Sequence, residues 1–96
     1  MLTVVHGPQA SGKTRNRDKF ASHYGHTTII DGVTRQHRSR RFYDDSGKVH
    51  DALPQDALLL TTMTRDQCLS FLQKHERWAT LIPIDVALQE VTQDAS

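Results

Sequence analysis

Residues 2 to 14 read Leu-Thr-Val-Val-His-Gly-Pro-Gln-Ala-Ser-Gly-Lys-Thr, and this stretch decides the fold. Its first half, Leu2 to His6, is short, apolar and β-branched, the composition of a buried strand. Its second half, Gly7 to Thr14, is a complete G-x-x-x-x-G-K-T loop. In such a loop backbone N–H groups wrap an oxyanion, the lysine adds a point charge, and the threonine hydroxyl can ligate a divalent cation. Average residue usage gives a chance match in so short a chain odds of roughly a few in a thousand. A helix is expected from Gly12 or Lys13 to Tyr24, with Gly25 just beyond it. It would start inside the motif, adding aligned dipoles and free N–H groups toward the same anion.

Ninety-six residues with a net charge of +1 make a single domain, 1–96, with a small core. Near-balanced charge gives no global argument for nucleic acid; only local clustering can supply one. One cysteine, Cys68, excludes an internal disulfide and suits a reducing compartment. No apolar stretch is long enough to span a bilayer, and the N-terminus carries no signal-peptide pattern. The expectation is a cytoplasmic protein with no membrane partner.

Three more strand-like runs follow. Thr27 to Gly32 carries Asp31 near its end. Ala57 to Thr62 is continuously apolar, as for a central strand covered on both faces. Thr80 to Ile84 contains Pro83, which cannot donate a ladder bond and so favours an edge. Phe20, Ala21 and Tyr24 give the first helix only a thin apolar face, so it should lie at the surface. Thr64 and Gln67 form a capping box for a helix to about Glu76, with Cys68, Leu69, Phe71 and Leu72 inward. Asp85 is expected to cap a last helix from Val86 to about Thr92, with Val86, Leu88 and Val91 available for packing. Trp78 should pack at a helix-to-strand junction, with stacking on an adenine as the lesser alternative. Right-handed crossovers then imply an α/β fold: a parallel four-stranded sheet of order 2-3-1-4 with helices on both faces. A 3-1-2 ordering of the first three strands is the alternative.

Residues 33–55 form a basic segment, expected to be mobile. Arg35, Arg38, Arg40 and Arg41 precede Phe42 and Tyr43, and Asp44-Asp45-Ser46-Gly47 is a turn signal. One or two helical turns followed by irregular structure is the favoured reading. A helix over 34–40 with a hairpin around Asp45-Ser46-Gly47, or a loop throughout, are the alternatives.

The strand and glycine loop resemble the P-loop nucleoside-triphosphate-binding superfamily over residues 2 to 31, about a third of the chain. The resemblance implies a minimal three-layer P-loop fold that binds ATP, or another purine nucleoside triphosphate, with Mg²⁺. By that resemblance Lys13 contacts the β- and γ-phosphate oxygens and Thr14 ligates the metal. Ala10, Ser11 and Gly12 present N–H groups, and Gly7 and Gly12 serve the backbone, one for the turn and one for close approach to phosphate. Family members usually close an apolar strand with an aspartate. The third strand ends in Thr61-Thr62, without a carboxylate, whereas the second ends in Asp31. That placement resembles small-molecule kinases such as shikimate or gluconate kinase, where such an aspartate meets the acceptor or metal. It also resembles a trimmed ATPase in which Ile29-Ile30-Asp31 is the magnesium strand and Leu60-Thr61-Thr62 a polar sensor strand. The bland alternative has Asp31 capping the next turn. No glutamate stands beside Asp31, so slow or partner-dependent hydrolysis is expected.

Arg38 and Arg41 are candidates to neutralise charge on the transferring phosphate. The 34–43 segment could equally grip nucleic acid, with Phe42 and Tyr43 stacking on bases, engage a protein partner or neighbouring protomer, or stay solvated. The six histidines show no ligand pattern, and His23 and His26 straddle a helix end, as expected of surface or locally bonded residues. Cys68 reads as a buried, inert thiol. Three functional readings follow: an ATP-binding protein with weak or partner-activated NTPase activity; a miniature kinase with its acceptor near Asp31; and a degenerate P-loop protein acting as a protein-binding module, of the kind a compact phage or mobile-element genome would carry.

Overall fold

In the computed structural model, which describes residues 1–9, 11–35 and 41–94, the chain runs β1 (Leu2–His6), α1 (Arg17–Tyr24), β2 (Ile29–Asp31), β3 (Thr34–Arg35), β4 (Phe42–Tyr43), β5 (Val49–His50), β6 (Ala57–Thr61), α2 (Arg65–Lys74), β7 (Thr80–Pro83) and α3 (Ile84–Asp94). Four strands form a parallel sheet in the order β2-β6-β1-β7. Among these four the chain order is 2-3-1-4, as the sequence implies. β6 is buried along its whole length, because both its faces are covered. Ala57 and Leu59 face one core with Cys68, Phe71 and Leu72 of α2. Leu58 and Leu60 face the other with Phe20 and Ala21 of α1 and Ala87 and Val91 of α3. Strand alternation thus divides one apolar run between two layers.

The capping box at Thr64 is present in both directions: Gln67 N–H donates to Thr64 Oγ1 at 3.2 Å and Thr64 N–H to Gln67 Oε1 at 2.9 Å. Other boundaries differ from expectation. α1 starts at Arg17 rather than inside the glycine loop, because residues 13–16 form turns. Gly12 has φ +95°, outside helical space. α3 begins at Ile84, directly after β7, so Asp85 sits in its first turn instead of capping it. Leu69 and Val86 are exposed, against the inward facing expected of them.

The larger correction concerns residues 33–55. No helical turn occupies residues 34 and 35, and 36–40 lie outside the described residues. β3, β4 and β5 form a separate three-stranded antiparallel sheet, with the hairpin turn at residues 44–48. The segment is therefore not one irregular loop. Tertiary packing explains such short strands: Phe42 is fully buried, stacked on His50 at 4.8 Å and edge-on to Phe71 at 5.2 Å. No helix among the described residues is long and apolar enough to cross a membrane.

Candidate functional site

The carboxyl ends of β1, β2 and β6 open onto a cleft of about 810 Å³. The loop after β1 forms one wall, with Ser11, Gly12, Lys13 and Thr14. Asp31, Gly32, Thr34, Asp45, Thr61 and Thr62 contribute from the opposite elements. Gly7 begins the loop and donates its N–H to Thr61 O at 3.2 Å. A side chain there would overlap Ile84, so Gly7 is fixed by the close approach of α3.

Lys13 is buried, and its ammonium sits inside the loop. Nζ donates to Gly7 O at 2.7 Å, Pro8 O at 2.6 Å and Ser11 Oγ at 3.1 Å. Burial pulls the lysine below its ordinary value of 10.5, while the nearby charges of Asp31 and Asp45 oppose that shift. The Thr14 hydroxyl donates to Asp31 Oδ1 at 3.2 Å. Arg17 pairs with the other oxygen of Asp31 at 3.6 Å. Asp31 therefore points across β2 toward the loop and does not cap the turn that follows it. Asn16 closes the loop from below: its backbone N–H and its Nδ2 both donate to Gly12 O, at 3.1 and 2.8 Å. Among the described residues, no backbone acceptor meets the N–H groups of Lys13, Thr14 or Arg15. These are donors of the kind an anion recruits.

Of the residues singled out from sequence, Ser11, Gly12, Lys13, Thr14 and Asp31 converge on one cleft, with Gly7 at its base. Ala10 and Arg38 lie outside the described residues. Arg41 is paired with Asp51 at 3.0 Å and is not among the residues lining the cleft. Phe42 is core rather than a stacking surface, since its ring is fully buried. Trp78 does not pack at its junction: it is 92% exposed, and it precedes β7, at the sheet's far edge from the cleft. No aromatic side chain lines the cleft among the described residues.

Asp45 is the cleft residue that sequence reasoning passed over. Its signal was only that of a turn, yet its backbone N–H donates to Asp31 O at 2.9 Å and its carboxylate reaches Gly32. His50 likewise has a role that its sequence neighbourhood hid, donating from Nε2 to Asp44 Oδ2 at 3.0 Å within the hairpin. Among the described residues, no cluster of three or more histidine, cysteine or acidic side chains could hold a metal. A cation here would be held by the Thr14 hydroxyl and Asp31 carboxylate together with a ligand's own oxygens, the manner in which Mg²⁺ commonly binds with phosphates. Comparison of the chain with family models, curated proteins and solved structures finds no match.

Proposed function

We propose that the chain binds a purine nucleoside triphosphate with Mg²⁺ in this cleft, as a minimal three-layer P-loop domain, and hydrolyses it slowly or on activation by a partner. The observation that carries the reading is the seat of Lys13: a desolvated ammonium held by loop carbonyls, with Thr14 and Asp31 bonded to each other on the same cleft. An ammonium in that position suits a triphosphate, because phosphate oxygens can replace the carbonyl partners at little cost in hydrogen bonding. Thr14 and Asp31 would hold the cation, which supplies charge neutralisation at the phosphates. The wall beyond Asp31 carries no glutamate, which supports slow turnover without a partner.

The test is a titration with a fluorescent ATP analogue, wild type against Lys13→Ala, in Mg²⁺ and in EDTA. The expected result is a loss of at least about 100-fold in affinity on substitution, worth ~2.7 kcal/mol. Equal affinities would refute the reading. Phosphate release measured with and without DNA or RNA then separates an NTPase from a binding module.

A second reading, a small-molecule kinase, is favoured by one observation. The β3–β4–β5 sheet contributes Thr34 and Asp45 to the cleft, and so furnishes a wall against which an acceptor could rest.

A further inference from the structure

We propose that Asp45 receives and orients the hydroxyl that attacks the terminal phosphate, whether that hydroxyl belongs to water or to an uncharged alcohol. This rests on the nucleotide reading above and assigns the side of the cleft facing the phosphate loop.

Two adjacent acids on one hairpin turn have divided their tasks. Asp44 is consumed by the turn: its carboxylate accepts from the Ser46 hydroxyl, from Ser46 N–H at 3.0 Å, from Lys48 N–H at 3.2 Å, and pairs with His50 Nε2 at 3.0 Å. Asp45 is then aimed elsewhere. Its main chain is clamped to the end of β2 by the 2.9 Å bond to Asp31 O. Its carboxylate fills the notch over Gly32, whose φ of +78° and missing side chain are both required, since a Cβ there would overlap the carboxylate. Among the described residues the Asp45 carboxylate has neither a hydrogen bond nor an ion pair, whereas Asp31 is engaged by Thr14 and Arg17. Asp45 lines the same cleft as the loop's ammonium, and its charge, like that of Asp31, raises the Lys13 value against the larger effect of burial.

A carboxylate in that position is an acceptor with open lone pairs, which a hydroxyl can satisfy. Two carboxylates on one wall also repel an acceptor that carries its own negative charge. In the step, the hydroxyl oxygen bonds to the γ-phosphorus as that phosphorus loses its bond to the β–γ bridging oxygen. The nucleoside diphosphate leaves with the electron pair. The hydroxyl proton passes to the Asp45 carboxylate and from there to solvent. Most of the benefit is positional, because phosphoryl transfer leaves the protein little covalent chemistry to perform.

The experiment follows γ-labelled ATP under single-turnover conditions with the 96-residue chain and Mg²⁺. Its arms are water alone, added glycerol or myo-inositol, and added gluconate. Wild type is expected to place label in inorganic phosphate or in a neutral polyol, and not in gluconate. Asp45→Asn should slow that step by about 100-fold, within the range for a positioned proton acceptor, and Asp45→Glu should recover part of it. Affinity for the fluorescent analogue should stay within about twofold in both variants, since a group facing the attacking hydroxyl adds to the rate and not to nucleotide binding. An unchanged rate in Asp45→Asn overturns the assignment. So does a fall in Mg²⁺-dependent affinity matching that of Asp31→Asn, which would make Asp45 a metal ligand, and so does transfer to gluconate. Wild type that binds the analogue but yields no labelled product overturns the assignment and leaves nucleotide binding standing. Wild type that binds no analogue overturns both.

Discussion

At the amino ends of the strands, polar side chains bond across distant parts of the chain; at the carboxyl ends they bond within the glycine loop and to Asp31, and the Asp45 carboxylate is left without a partner among the described residues. His26 is buried before β2, with Nε2 2.7 Å from Thr3 Oγ1 and Nδ1 2.6 Å from Asp56 Oδ1. Arg77 spreads its guanidinium over Leu53 O, Pro54 O and Gln55 O at 3.0, 2.9 and 3.3 Å, and the N-terminal ammonium adds a bond to Gln55 O at 2.9 Å. These contacts fasten the chain as it enters β6. Across the sheet the Lys13 ammonium rests on loop carbonyls, and the Asp45 carboxylate has neither a hydrogen bond nor an ion pair among the described residues. One sheet thus ties polar groups together at one end, and at the other leaves hydrogen-bonding capacity that the proposed nucleotide would use.

That contrast makes separable predictions. Lys13→Ala should cost the largest free energy at the cleft, the ~2.7 kcal/mol of binding already given, while leaving Tm within about 4 °C, less than 1 kcal/mol for a domain this size. A collapse of Tm would mean that the loop's internal bonds, rather than a ligand, are what Lys13 serves. His26→Ala should do the reverse. It strands the buried Thr3 hydroxyl, so a stability loss of ~2 kcal/mol is expected, or roughly 8–16 °C in Tm, with analogue affinity unchanged. Denaturant melts with parallel titrations check both halves.

Asp31→Asn is intermediate. It should reduce the difference between affinities in Mg²⁺ and in EDTA by about tenfold, ~1.4 kcal/mol, without the general loss seen for Lys13. Equal loss in both buffers would show that Asp31 merely positions Thr14. The smallest effect concerns the hairpin. The Ser46 hydroxyl first, then His50 and the Lys48 and Ser46 backbone amides, hold the Asp44 carboxyl well below its ordinary value of 3.8. A folded value below the unfolded one gives stability that is complete above 3.8 and lost as pH falls further. Amide protection in β4 and β5 should therefore weaken on going from about pH 5 to about pH 3 before that of β1 and β6. Asp44→Asn should remove the difference, and uniform weakening across all strands would contradict it.

Much of the scaffold was legible because its signals are local. Leu2 to His6 and Ala57 to Thr61 are apolar runs of strand length, and Thr64 with Gln67 forms a cap from side chains three residues apart. Lys13, Thr14 and Asp31 were legible as chemistry, and the parallel sheet brings them together. Less legible was anything that depends on distant partners. Phe42 beside arginines looks like a nucleic-acid contact until Phe71 and His50 enclose it. Trp78 looks like a packed junction between helix and strand, yet it stays exposed. The late start of α1 follows from Gly12 leaving helical space and Asn16 binding the Gly12 carbonyl, a competition that propensity alone does not resolve.

The linear chain by itself determined the four long strand runs, their parallel order and the residues of the glycine loop that carry the proposed chemistry, since each is read from residue type and spacing along the chain. Only the folded arrangement decided that Asp45 joins Asp31 at the cleft while Asp44 does not. Those two acids are neighbours with the same chemistry, and what separates them is which way a hairpin turn, anchored by a buried phenylalanine far along the chain from its partners, makes each one face.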